Sequence, residues 1–160
     1  KLLVKIKQAR GTWLQGCRDE QIQLIQGEVD DYLWQLLLQN VDGFIFPSRG
    51  EGFGLPPREA ALMGTPVIAT QALGMWDVDC WGFPVRVSGM APHRLDGEGC
   101  NHPQGQWWEP DFDHLCEQLA WVDAHPLEAR YRAARGRDYL MQNFRWADVA
   151  RRVVQIMEAA

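Results

Sequence analysis

A chain of 160 residues, 46% of them hydrophobic, is long enough to bury one compact core and too short for two comfortable ones. Its formal charge of -5, with 16 Lys and Arg residues spread from Lys1 to Arg152, offers no basic stripe for a phosphate backbone, so nucleic acid is not an expected partner. No apolar run approaches the roughly 20 residues that cross a bilayer, and the start lacks the charged-then-apolar layout of a secretion signal, which predicts a soluble chain.

The pattern predicts a strand over residues 2–6 and another over 22–25, after which Gly27 breaks the chain. The strand-like start without an initiating methionine reads as a piece cut from a longer protein. From Asp30, Leu33, Leu36, Leu37 and Leu38 recur on a mostly helical period, with Asp30 or Asp31 as N-cap and Asn40 as stop. Residues 41–46 are short, apolar and β-rich, which predicts a strand buried on both faces. Pro56 and Pro57 open a helix through Met63, stopped by Gly64, and residues 66–69 supply a further buried strand. This alternation implies a parallel sheet.

Beyond Thr70 the pattern predicts a strand over 84–87 and an irregular stretch over 88–106 containing four glycines and two prolines; long loops of this kind are surface excursions or cleft-rim elements. Trp107 and Trp108 are expected to anchor the start of the C-terminal helices. Leu115, Leu119 and Val122 mark one face of a first such helix, residues 127–141 form a second and 147–157 a third. Cys17, Cys80, Cys100 and Cys116 lie far apart with no CxxC pair, so they read as reduced thiols of a cytoplasmic protein. Cys100 and His102, with His93 and Cys80 farther off, fit no standard zinc spacing, and no metal site is expected.

The chemistry concentrates in Phe46-Pro47-Ser48-Arg49-Gly50-Glu51-Gly52-Phe53-Gly54-Leu55-Pro56-Pro57-Arg58-Glu59, which reads as a strand end, a glycine-rich turn and a helix start. Ligands of open α/β sheets collect at the carboxyl ends of the strands, where a helix N-terminus offers unpaired N–H groups to an anion. Gly52 and Gly54 let the backbone approach an oxygen cluster closely, so a phosphate-bearing ligand is expected. A GxGxxG dinucleotide turn fails twice: its third glycine falls at Leu55, and its acidic ribose ligand falls near Thr70. A carboxylate beside a diphosphate is repelled unless it faces hydrogen-bond donors, and sugar hydroxyls are such donors. Glu51 before the turn and Glu59 in the first helical turn therefore suit the two hydroxylated ends of a sugar nucleotide.

Glu51 and Glu59, separated by seven residues, with EGFGLPPREAALMGTPVIAT running on to Thr70, resemble the EX7E segment of glycosyltransferase family 4, the retaining GT-B enzymes. Ile25-Gln26-Gly27-Glu28-Val29 resembles the family's turn near the nucleobase. Gln106-Trp107-Trp108-Glu109-Pro110-Asp111 and Phe144-Arg145-Trp146 resemble its C-terminal helices. The resemblance implies an α/β fold, a Rossmann-like parallel sheet with helices on both faces, forming the C-terminal half of a GT-B fold. Residues 1–160 would then be one nucleotide-sugar (donor) binding domain, with the N-terminal acceptor domain absent from this chain.

Carried over by residue, the resemblance gives donor-sugar orientation to Glu51, donor binding to Gly52, Phe53, Gly54 and Leu55, and the ribose to Glu59. Gly27 falls at the nucleobase turn. The family's diphosphate-neutralising Arg and Lys lie upstream of this chain; Lys5 and Lys7 read equally as phosphate neighbours or as strand-edge lysines in solvent. The implied activity is retaining transfer of a hexose-type sugar from a nucleoside-diphosphate sugar, without a metal or other cofactor, by a parent protein of which this fragment alone is inactive. Peripheral membrane association of the parent is compatible with it. The alternatives are a non-catalytic nucleotide-sugar-binding or scaffold module, and a GT-B epimerase or phosphorylase.

Overall fold

The computed structural model describes residues 2–6, 22–26, 28–92 and 105–159, the first two segments by their backbone. They fall into two compact units, Lys1–Leu36 and Leu37–Ala160. In the first, β1 (Leu2–Ile6) and β2 (Ile22–Gln26) pair in parallel, with Leu2 opposite Ile22 and Ile6 opposite Gln26. Helix α1 (Asp31–Asn40) starts where the sequence places it, because Asp30 Oδ1 accepts the Leu33 N–H at 2.7 Å and satisfies one of the donors that a first turn leaves open.

The second unit is built on a three-stranded parallel sheet in the order β3 (Phe44–Phe46), β4 (Val67–Thr70), β5 (Phe83–Val85). Central β4 is buried at all four positions, which is why it reads as an unbroken apolar run. Ile68, Phe83 and Val85 share one face and receive Val122, Leu115 and Leu119 of α4 (Phe112–Ala124) together with Ala129 of α5 (Pro126–Asn143). Val67 and Ala69 alternate to the other face and are equally buried. Helix α2 (Leu55–Leu62) crosses from β3 to β4 and ends on Gly64, whose φ of +81° accommodates the reversal. A 3-10 turn (Leu73–Met75) and the short α3 (Val78–Trp81) link β4 to β5. The expected parallel sheet flanked by helices is therefore present.

Three boundaries differ from the sequence expectation. The strand expected over 41–46 is confined to Phe44–Phe46 and is half-buried, because the ladder begins only where Phe44 N–H donates to the Pro66 carbonyl at 2.8 Å and β3 is an edge of its sheet. The strand expected over 84–87 is two strands, broken at Arg86. There the main chain leaves the ladder: Arg86 N–H donates to His114 Nδ1 at 2.9 Å, and the Arg86 carbonyl accepts the Asp111 N–H at 2.8 Å. The irregular stretch expected over 88–106 contains most of a strand at one end and the first residue of another at the other. β6 (Val87–Pro92) and β7 (Gln106–Pro110) are antiparallel, with Met90 opposite Trp108, and a register shift between Val87 and Gly89 breaks the alternation that would have revealed them. Trp107 and Trp108 thus lie in β7 instead of opening a helix; the first C-terminal helix starts at Phe112, capped by Asp111 Oδ1, which accepts the His114 N–H at 3.0 Å.

The second and third C-terminal helices are α5 and α6 (Trp146–Glu158). Ala129, Ala133, Gly136 and Leu140 form the buried face of α5, small residues that bring its axis close to α3. A Cβ at Gly136 would stand 2.4 Å from the Trp81 carbonyl oxygen and 2.7 Å from its Cα, both backbone atoms that cannot rotate away. Gly136→Ala is therefore expected to cost about 1–3 kcal/mol, a fall in melting temperature of roughly 3–10 °C in a thermal denaturation measurement. A melting temperature within a degree of the parent would contradict this packing.

Candidate functional site

The carboxyl end of β3 leads into the turn that the sequence singles out. Ser48 Oγ donates to the Gly50 carbonyl at 3.0 Å and accepts the Gly50 N–H at 3.3 Å, which closes the first bend. Gly54 occupies the N-cap position of α2 at φ +73°, ψ +56°, a left-handed conformation that a side chain would strain, and a Cβ there would lie 2.7 Å from Met75 Cγ and Sδ. Helix α2 then starts at Leu55, so Glu59 is its fifth residue. This corrects its expected place in the first turn, and it takes Glu59 beyond the reach of most of the helix-dipole effect.

The helix N-terminus also gives fewer donors than expected. Pro56 and Pro57 have no N–H, and Arg58 N–H is already bonded to the Gly54 carbonyl at 3.2 Å, so Leu55 alone among the first three helical residues carries an amide hydrogen. Any cluster of donors has to come from the turn itself, from Gly52, Phe53 and Gly54. Glu51 is half-buried at the start of that turn, Gly54 is buried, and Gly52, Phe53, Leu55 and Glu59 are exposed. Lys7 and Gly27 lie outside the residues whose side chains and turns are described.

A second turn supports the first. Gly74 N–H donates to the Glu51 carbonyl at 3.3 Å, and a Cβ at Gly74 would fall 2.0 Å from the Gly52 carbonyl oxygen. Residues that the sequence reading did not assign hold both turns together. Arg58, 4% exposed, donates from Nε to the Phe53 carbonyl at 2.9 Å and from one terminal nitrogen to the Gly74 carbonyl at 3.0 Å. Its two terminal nitrogens also bond both oxygens of the buried Asp77, at 3.1 and 2.7 Å. Its guanidinium carbon lies 4.4 Å from the Phe53 ring centre, 4.9 Å from that of Trp81 and 4.6 Å from that of Phe144. One side of the Phe53 ring is therefore turned toward Arg58 and Phe144. The neighbouring Tyr139 phenol is held above its ordinary range, first by desolvation and then by Cys80 and the Asp77 carboxylate, so it stays protonated.

A faint sequence signal for this pair exists: Arg58 is the one charged residue on a helix face otherwise made of Pro57, Ala60 and Ala61, and Asp77 stands between buried Met75 and Val78. The β6–β7 hairpin joins the same region through Arg49, two residues before Glu51, whose guanidinium meets Glu109 Oε1 at 2.7 Å. Among the described residues no group of His, Cys, Asp and Glu is arranged to hold a metal ion, and Cys100, His102 and His93 lie outside them. No described helix is long and apolar enough to cross a membrane.

The model of a family described as family 4 glycosyltransferases in conflict systems matches residues 16–153. Among solved structures, the fold is similar to sucrose-phosphate synthase from Thermosynechococcus elongatus, at 24% identity and a TM-score of 0.62, over 88% of this chain and 30% of that one. It is similar also to the C-terminal domain of a group 1 family glycosyl transferase from Francisella tularensis, at 24% identity and a TM-score of 0.57, over 82% of this chain and 58% of that one. The chain thus spans less than two thirds of either structure. No curated protein matches it significantly.

Gly74→Ala is expected to displace the Gly52–Phe53 peptide, lowering the melting temperature by roughly 5 °C or more and moving the backbone amide resonances of Gly52 to Gly54; unmoved resonances would show that the two turns are not in contact. At the hairpin root, the Asp111 carboxyl is held below its ordinary range by the His114 backbone N–H, and the Arg86 charge adds to this. A depressed carboxyl stabilises the fold above its unfolded value of about 3.9 and loses that contribution as pH falls through the lower folded value. Asp111→Asn, which keeps the capping oxygen, should therefore melt below the parent near neutral pH, with the gap closing as the solution is taken towards pH 2. A gap independent of pH in melts across that range would refute the charge contribution.

Proposed function

Since this chain belongs to the family 4 glycosyltransferases in conflict systems, we propose that it binds a nucleoside-diphosphate sugar through the Glu51–Glu59 segment and serves as the donor-binding domain of a retaining glycosyltransferase. The observation that carries the reading is the turn after β3: a glycine-rich backbone at the carboxyl end of a parallel strand, immobilised from behind by Arg58, with a carboxylate at either end.

In this reading the amides of Gly52, Phe53, Gly54 and Leu55 take the diphosphate, and the dipole of α2 adds to the field they create. Negative charge grows on the diphosphate as the bond to the anomeric carbon breaks. Fixed N–H groups then stabilise the departing group without reorganising, the property that makes oriented dipoles effective in catalysis. Glu51 accepts hydrogen bonds from hydroxyls of the sugar, a hexose-type ring, and Glu59 accepts those of the ribose. Arg58 takes no part as a diphosphate ligand, because its guanidinium is buried and neutralised by Asp77. The remaining positive charge is assigned to an Arg and a Lys upstream, and the acceptor to an N-terminal domain of the same protein. That the chain spans 30% of the sucrose-phosphate synthase structure supports that division. The transfer proposed here uses no metal and takes place in the cytoplasm.

The test is calorimetry on the parent protein with free nucleoside diphosphates and the corresponding sugar nucleotides, after a thermal-shift panel of uridine, guanosine, adenosine and thymidine compounds has selected the base; at one hundred times Kd a ligand adds about 2.7 kcal/mol of stability, an easily read shift. Glu51→Ala is expected to weaken the sugar nucleotide roughly tenfold, the loss of hydrogen bonds to a charged acceptor, while leaving the free nucleotide within about twofold. Equal losses for both ligands would remove Glu51 from the sugar.

A further inference from the structure

Two successive peptide planes of the turn are fixed by one residue. Arg58 Nε holds the Phe53 carbonyl at 2.9 Å, and Arg58 N–H holds the Gly54 carbonyl at 3.2 Å. In a trans peptide the C=O and the following N–H point in opposite directions, and no cis bond occurs among the described residues. With both carbonyls drawn toward Arg58, the N–H groups of Gly54 and Leu55 are directed away from it. Gly54 is left-handed and Leu55 is helical, the succession that makes neighbouring N–H groups converge into an anion-binding concavity. Pro56 ends the series, since it has no N–H.

We propose that the Arg58 side chain, locked by Asp77, is the positioning group that presents the Gly54 amide to the diphosphate, beside the Leu55 amide that the helix itself orients, while making no contact with the ligand. This rests on the donor-site reading above. Its basis is the pairing of functions in one side chain: the cation is spent internally on Asp77, and the remaining donors set the backbone. Asp77 makes burial of the guanidinium affordable and orients its fork, so that Nε faces Phe53 and a terminal nitrogen faces Gly74. The rings of Phe53, Trp81 and Phe144 around the guanidinium leave it little room to turn elsewhere.

A double substitution separates positioning from stability. Arg58→Met with Asp77→Leu replaces a buried ion pair by apolar side chains, an exchange that is commonly neutral or stabilising, but it removes the side-chain bonds to the Phe53 and Gly74 carbonyls. The nitrogen-15-labelled chain and its double variant are compared by backbone amide spectra, amide order and titration with inorganic pyrophosphate. The expected result is a melting temperature within about 5 °C of the parent, a pyrophosphate affinity roughly tenfold or more weaker, and loss of the pyrophosphate-induced shifts at Gly54. A folded double variant that keeps both the affinity and those shifts overturns the proposal. If pyrophosphate moves neither the Gly54 nor the Leu55 amide in the parent, the donor-site reading fails; the positioning role is then judged without ligand, where reduced order of the Gly54 amide in the variant upholds it and unchanged order overturns it. Should the double variant not fold, Arg58→Lys carries the same comparison, because an ammonium keeps the charge opposite Asp77 but gathers its donors on one nitrogen and lacks the Nε that holds the Phe53 carbonyl.

Discussion

The buried Arg58–Asp77 pair is the constraint on which the site depends. Taking a guanidinium and a carboxylate out of water is costly, and the cost is offset only when the geometry is good and the remaining hydrogen-bonding capacity is used. Here Arg58 uses four of its five N–H donors, two on Asp77 and one each on the carbonyls of Phe53 and Gly74. The ion pair thereby becomes a joint between two pieces of chain that are remote in sequence, the glycine turn and the stretch from Gly74 to Asp77. Phe144 brings in a third, the junction of α5 and α6, through its contact with the guanidinium and its edge-to-face packing on Phe53.

Glycines at two of these positions complete the joint by being absent as side chains. Gly54 adopts a left-handed conformation in space that Met75 would deny to a Cβ, and Gly74 lies against the Gly52 carbonyl with no room for any substituent. Rigidity of the turn therefore comes from outside it, from a guanidinium on one side and a second loop on the other. In the proposed donor site this is an advantage, since amides held by their surroundings need no rearrangement when charge appears. The double proline at the helix start fixes the entry of α2 and leaves Leu55 as the one amide donor among its first three residues.

The β6–β7 hairpin is attached at two points. At its root, both main-chain polar groups of Arg86 are taken by the N-terminus of α4, through the His114 ring and the Asp111 amide. Because a backbone N–H can only donate, His114 Nδ1 is the acceptor of the Arg86 N–H. Near the glycine turn, Glu109 meets Arg49 and its carbonyl accepts the Ser88 hydroxyl at 3.2 Å. The hairpin is thus held to the α4 N-terminus and to the segment preceding Glu51 by polar contacts, while the three-stranded sheet is held by its apolar faces.

The sequence alone determined the strand–helix–strand order from β3 to β4, the three C-terminal helices, an N-cap at Asp30 or Asp31, the stop at Gly64, the apolar face Leu115–Leu119–Val122 and the glycine turn with its two carboxylates, because periodicity and turn chemistry act over a few residues and leave a local trace. It also carried the family resemblance, which the family match over residues 16–153 bears out. Tertiary structure alone decided the rest. Whether Arg58 faces solvent or closes on Asp77, 19 positions away, depends on how two turns meet. That β5 stops at Arg86 depends on a histidine 28 residues further on. That residues near 88 and 106 form strands depends on each finding the other across a register shift. Each is a pairing between distant residues, and one-dimensional spacing carries no record of which distant partner a polar group or a strand edge will take.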